Sequence, residues 1–282
     1  MTSDPTDPDH DPATLLALAT DIARDAGALL HSYARRSDLE VDTKSSATDP
    51  VSTADRASER RISERIRAAR PGDGMLGEEQ AGDRSGSTGL RWVVDPLDGT
   101  VNYLYGIPQW SVSIAVEDGA GPLCGVVYDP SRDETFYAVR GGGAFLDGTP
   151  LRVSSPARVS DALIATGYSY DPQVRRRQAD MLVDLIPTIR DVRRFGSAAL
   201  DLSWLAAGRW DGYAEFALHR WDFGAGSLLV AEAGGDVRAW EIQVGGGAHR
   251  GICAGGTAIT EHLAAWLERS GARAIPLAAF DD

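Results

Sequence analysis

Cysteine is nearly missing from this chain. Only Cys124 and Cys253 occur in 282 residues, far apart and each inside an apolar run. Neither a disulfide framework nor a thiolate metal site is expected, and a reducing, cytoplasmic setting fits. Histidine is sparse as well: His10, His31, His219, His249 and His262 show no ligand spacing, which argues against zinc. Basic residues are outnumbered, 28 Lys and Arg against 41 Asp and Glu, for a formal charge of −13. That balance excludes general affinity for nucleic acid, whose backbone demands a basic surface. It leaves a phosphorylated ligand open, because bound metal reverses the field locally. No apolar run approaches the roughly 20 residues that span a bilayer, so no membrane partner is expected. The opening MTSDPTDPDHDP is acidic, proline-rich and without an apolar export core, and residues 1–12 read as a disordered tail.

What is present is mixed periodicity. Leu15, Leu18, Ile22, Ala26, Leu29 and Tyr33 recur at helical spacing and predict an amphipathic helix over 14–33. The polar stretch DTKSSATDPVST follows. Thr53 then caps a second helix with Ala57, Ile62, Ile66 and Ala69 on its apolar face, ended by Pro71-Gly72. A strand ends at Asp95, where Pro96 cannot continue a ladder. Residues 109–117 alternate as a half-buried strand, and LCGVVY, ETFYAV and AFL continue a meander. From ALIATG onward strands and helices alternate to the last helix, TAITEHLAAWLER. The fold class is α+β passing into α/β, with residues 13–155 as an N-terminal unit and 156–282 as a C-terminal one.

The chemistry concentrates in acids. Asp95-Pro-Leu-Asp98-Gly99-Thr100 closes a buried strand with two carboxylates and a glycine that permits a tight reversal. Glu78 and Glu79 follow a glycine in the preceding loop, Asp55 lies in the first turn of the second helix, and Asp222 follows Trp221 at a helix start. Taken singly, each has an ordinary role as a surface acid, a dipole partner or an N-cap. Drawn together, they repel: two carboxylates about 4 Å apart cost roughly 4 kcal/mol at an effective dielectric of 20. An all-oxygen, histidine-free set suits Mg2+ better than Zn2+.

The combination of GEE (77–79), DPLDGTVNY (95–103) and WDFGAG (221–226) followed by EAGG resembles the inositol monophosphatase family of lithium-sensitive, magnesium-dependent phosphomonoesterases. TKSSATDPVSTAD and RRFGSAALDLSWLAAGRWDGYAEF extend the resemblance over residues 15–270, in order and at fitting spacings. The resemblance implies a layered αβαβα sandwich of the inositol monophosphatase and fructose-1,6-bisphosphatase type, and a homodimer. It implies a first Mg2+ on Glu78, Asp95 and the Leu97 carbonyl, and a second on Asp95, Asp98 and Asp222. A weaker third ion would lie near Glu78, and Mn2+ could substitute. Glu79 matches the second acid of its motif without a ligand role. Asp55 and Thr100 match the pair that deprotonates the attacking water, Gly99 and Thr100 the phosphate-holding amides, and Lys44 a lysine near the metal-site loop.

The same resemblance puts Gly196, Ser197, Ala198 and Glu215 against the hydroxyls of a polyol phosphate ester. Tyr103, Phe216, Ala217 and Arg220 depart from the usual residues, and Arg220 is a candidate to face a second anionic group. The leading expectation is hydrolysis of inositol monophosphate. Fructose-1,6-bisphosphatase or histidinol-phosphatase activity on the same scaffold is the alternative, and a catalytically silent, partner-binding relative is a reading of another class.

Overall fold

The computed structural model describes residues 10–34, 41–43, 50–79 and 83–280. Most of the proposed tail, as well as Lys44, lies outside them. Helix α1 (Pro12–Ala34) is started by Asp11, whose carboxylate accepts the Thr14 N–H at 3.0 Å. Its buried stripe is Leu15, Ala19, Ile22, Ala26 and Leu30, rotated slightly from the expected face so that Leu18 and Leu29 are half-buried. The polar stretch after it holds a short antiparallel ribbon, β1 (Val41–Thr43) with β2 (Pro50–Ser52), which hydrophobic periodicity gave no reason to expect. Helix α2 (Thr53–Ala69) buries Ile62 and Ile66 as anticipated, but also Asp55 and Glu59, while Ala69 is exposed.

Seven strands then form one sheet: β3 (Gly74–Gly77), β4 (Arg91–Asp98), β5 (Ser111–Asp118), β6 (Gly121–Asp129), β7 (Glu134–Val139), β8 (Gly143–Leu146) and β9 (Thr149–Pro150), in that spatial order. The short helix α3 (Thr100–Leu104) lies between β4 and β5. Strand β4 corrects the expectation of a stop at Asp95. The ladder to β5 breaks at Pro96, which has no N–H, and resumes one step later where Asp98 pairs with Ser111. The Leu97 N–H turns back onto Asp95 Oδ1 at 3.0 Å. Strand β5 is buried on both faces, not one, because helices cover each side of the sheet.

The second sheet has the order β11-β10-β12-β14-β13-β15, built from β10 (Leu163–Thr166), β11 (Asp191–Arg193), β12 (Gly212–Phe216), β13 (Asp236–Val244), β14 (Gly247–Gly255) and β15 (Arg273–Ile275). Strands β10, β11 and β12 run parallel, and the rest antiparallel. The remaining helices are α4 (Pro172–Leu185), α5 (Ala198–Ala206), α6 (Arg220–Glu232) and α7 (Thr257–Arg269). Helices α1 and α2 cover the outer face of the first sheet, α5 and α6 lie between the sheets, and α4 and α7 cover the second. The result is the αβαβα sandwich, with one apolar cluster beneath α1 and α2, one around α5 and α6 between the sheets, and one beneath α4 and α7.

One buried carboxylate anchors the edge of the first sheet. Asp73, 1 % exposed, accepts from Arg70 Nε (2.9 Å), Thr88 Oγ1 (2.7 Å) and Trp92 Nε1 (2.9 Å). Burial works against its ionisation, but these bonds hold its pKa below the usual range. Asp73→Ala leaves three donors without their acceptor and is expected to cost about 3 kcal/mol in urea unfolding.

Candidate active site

The break in β4 aims its carboxylates at one spot. Asp95 is 2 % exposed, and Leu97 follows fully buried. Gly99, at φ +93, carries the chain into α3, and a Cβ there would sit 2.8 Å from the Gln109 carbonyl, so the turn demands glycine. Thr100 Oγ1 donates to Asp55 Oδ1 at 2.8 Å and lies 3.1 Å from the Leu97 carbonyl. Asp55 thus reaches the site through Thr100. Asp98 Oδ2 accepts from Ser197 Oγ (2.6 Å) and the Ala199 N–H (2.7 Å), which fastens the turn of the first sheet to the start of α5.

A cavity of about 410 Å³ opens where both sheets and the central helices meet. Its wall includes Glu78, Asp95, Leu97, Asp98, Gly99 and Thr100 from the first sheet and its connections. From the other side come Gly196, Ala198, Glu215 and Asp222. Ser197 caps α5 from behind this wall. Asp222 sits at the third position of α6, where its carboxylate accepts the His219 N–H at 2.6 Å. Glu79 does not line the cavity; its N–H donates to Glu59 Oε2 at 2.6 Å.

Electrostatics register the crowding. Burial raises the Asp98 pKa to about 6, against the opposing bonds from Ser197 and Ala199. Burial and then the charge of Glu78 push Asp222 well above its ordinary value. Glu215 is pushed up to about 7 by burial, partly offset by the Tyr213 hydroxyl that donates to it at 2.7 Å. Beneath them Asp201 is 1 % exposed, neither of its oxygens is hydrogen-bonded, and burial with the charges of Glu215 and Asp98 favours its neutral acid.

Among the described residues no three acidic, histidine or cysteine side chains close around one point as a finished ligand cage. The fit to a divalent ion rests on donor chemistry: Glu78, Asp95, Asp98 and Asp222 share one cavity with the Leu97 residue, and each of these five offers oxygen. Repulsion among these acids is the condition that a hard cation relieves.

Arg220 corrects a sequence expectation. Its side chain is 6 % exposed and points into the core, donating from Nε to Glu117 Oε1 at 2.7 Å and lying over the Phe223 ring. Each helical residue is turned about 100° from the one before, so Arg220 and Asp222, two positions apart, point to nearly opposite sides of the helix. Tyr103 is likewise structural, its hydroxyl donating to the Leu30 carbonyl at 2.6 Å. Tyr168, Ser169, Tyr170, Asp171, Arg194 and His219 line the cavity without having been anticipated. A usable signal existed: each follows a strand of the alternating half, where open α/β sheets place ligands.

The αβαβα sandwich is the fold of solved inositol monophosphatases, among them that of Anabaena, which superposes with a TM-score of 0.76 at 34% identity, covering 95% and 98% of the two chains. The chain belongs to the inositol monophosphatase family, whose model matches residues 11–272. It is 39% identical to the inositol-1-monophosphatase SuhB of Mycobacterium tuberculosis, covering 96% of this chain and 99% of that one. It is 42% identical to the Nus factor SuhB of Pasteurella multocida over 78% of this chain and 83% of the relative. The extragenic suppressor protein suhB of Bartonella henselae superposes with a TM-score of 0.82 at 38% identity, covering 91% and 99% of the two chains.

Proposed function

We propose that this protein is a Mg2+-dependent phosphomonoesterase that hydrolyses inositol monophosphate to inositol and phosphate. The observation that carries this reading is the shared cavity, in which the acids of the Asp95–Thr100 turn meet Asp222 and Glu215. Glu78, Asp95, the Leu97 carbonyl, Asp98 and Asp222 would hold two or three Mg2+ ions, with Asp95 bridging. Bound Mg2+ supplies neutralisation of phosphoryl charge and acidification of water.

The remaining work falls to the chain. The Thr100 hydroxyl donates its hydrogen bond to Asp55, so its oxygen lone pairs can accept from a water facing the cavity. As that water's oxygen bonds to phosphorus, one of its protons passes through Thr100 to Asp55, and as the ester P–O bond breaks the polyol oxygen leaves and takes a proton from solvent water. Gly99 and Thr100 amides orient the phosphate. Gly196 and Ala198 border the polyol, Ser197 supports them from behind the wall through Asp98, and the Glu215 carboxylate accepts from the polyol hydroxyls. A cavity Cβ at Gly167 would collide with that carboxyl group, so glycine there keeps Glu215 in place. A homodimer in the cytoplasm is part of the same reading, by likeness to the family.

Some relatives carry the name Nus factor, so the assay must separate catalysis from partner binding. Purified protein is expected to release phosphate from inositol 1-phosphate with Mg2+, to stop when the ion is chelated, and to be inhibited by Li+. No release from any phosphate ester with Mg2+ or Mn2+ would leave the partner-binding alternative.

A further inference from the structure

We infer that Arg194 makes this cavity selective for phosphate esters that carry a second anionic group remote from the scissile ester. The inference rests on the phosphatase reading above and names its substrate class.

Topology brings Arg194 to the site. Strands β10, β11 and β12 are parallel, so their carboxyl ends open at one edge of the second sheet. Residues that follow them, Tyr168–Asp171, Arg194, Gly196 and Ala217–His219, contribute to the cavity wall. Among the described residues that line it, Arg194 is the only lysine or arginine.

Its charge acts through space on Glu215 and Asp201, opposing the rise in their pKa, but is not locked in an ion pair. Neighbouring Arg193 pairs with Asp191 at 2.6 Å, and Arg220 with Glu117 at 2.6 Å. Among the described residues Arg194 has no carboxylate within ion-pair distance and donates no hydrogen bond, although Asp171 and Glu215 share its cavity. The guanidinium lies instead against the turn at Gly196, which has φ +82. A Cβ at that position would be 2.5 Å from Arg194 Nη1, so the missing side chain is what admits the guanidinium to the wall. The same turn continues into Ser197 and Ala199, which hold Asp98, and so fixes the position of the guanidinium relative to the acids of the first sheet.

A guanidinium presents donors in a planar fork that matches phosphate or carboxylate, and it has no acceptor for a hydroxyl proton. Glu215 has the opposite character, an acceptor suited to hydroxyls. The two groups therefore divide the distal half of a substrate: hydroxyls to Glu215, a second anion to Arg194. Arg220, buried in its ion pair, is excluded from that role.

Two probes that differ only in the remote phosphate test this: fructose 1,6-bisphosphate and fructose 1-phosphate, assayed with Mg2+ on wild type, Arg194→Gln and Arg194→Lys. A hydrogen-bonded charge pair of this kind corresponds to a tenfold to roughly hundredfold effect. The ratio of kcat/KM, bisphosphate over monophosphate, is expected to fall by on the order of tenfold or more in Arg194→Gln, through KM. Arg194→Lys should be intermediate, and added salt should shrink the wild-type preference. An unchanged ratio overturns the inference, and so does an equal loss on both esters, which would mean that Arg194 acts only through Glu215. Wild type that cleaves fructose 1-phosphate but gains nothing from the second phosphate also overturns it, leaving the phosphatase reading intact. Absence of release from either ester and from inositol 1-phosphate removes both.

Discussion

Asp95→Asn is expected to lower Mg2+-dependent phosphate release by on the order of a thousandfold or more while the protein stays folded. The substitution keeps the shape of a side chain that is 2 % exposed, and the amide oxygen can still accept the Leu97 N–H now bonded at 3.0 Å. What disappears is one negative charge, at the position proposed to bridge two ions. Electrostatic stabilisation of a phosphoryl group by positioned cations is the largest contribution available to this class of reaction, so its loss falls on turnover. Stability should be unchanged or raised in the metal-free protein, because Asp95 no longer repels its neighbours. Phosphate release read beside thermal melting separates the two effects. Turnover within tenfold of wild type in the folded variant would remove Asp95 from the proposed metal site.

The metal-free protein should also lose stability as pH rises from about 5 to about 8, and Mg2+ should restore much more of it at the upper end. Burial raises the Asp98 pKa from 3.8 to about 6 and that of Glu215 from 4.5 to about 7. The folded state therefore binds more protons than the unfolded chain between those limits, and folding weakens as pH climbs through the interval. Above about pH 8 both groups are charged and their share of the loss is complete. A cation held by Asp98 and its neighbours stabilises the charged form and adds ligand-linked stability, whereas at pH 5 it competes with protons. Scanning calorimetry with chelator or Mg2+ at the two pH values should give a Tm gap several degrees wider at pH 8. Asp98→Asn should narrow it. Lowered carboxylates such as Asp73 act in the other direction, losing their contribution only below about pH 4, outside this window. Equal Mg2+ shifts at both pH values would count against an acid cluster that titrates near neutrality.

Much of the chain was readable residue by residue. The apolar stripes of α1, α2 and α7 follow helical spacing, and the meander of β5 to β8 follows alternation bounded by turns. Strand β13 was missed, although Trp240 and Ile242 alternate with half-buried and exposed neighbours, because its Arg and Glu residues dilute the apolar signal. Strand β4 runs past its proline because a ladder can break and resume, a possibility that depends on the neighbouring strand and not on Pro96 itself. The acids of the candidate site were found through linked local patterns, DPLDGT above all. Each of these patterns couples a backbone requirement, such as the positive φ at Gly99, to a carboxylate beside it.

The amino-acid order alone determined most of the helices and strands, the scarcity of thiol and imidazole ligands, and the set of carboxylates worth following, since propensity, periodicity and side-chain chemistry are properties of short segments. Only the tertiary structure decided that Arg220 is buried against Glu117 while Arg194 faces the cavity, and that Asp55 meets Thr100 across 45 positions of chain. Those outcomes depend on the parallel pairing of β10, β11 and β12 and on the rotation of α6. Distance in space between residues far apart in sequence is set by packing of layers, and no local pattern contains it.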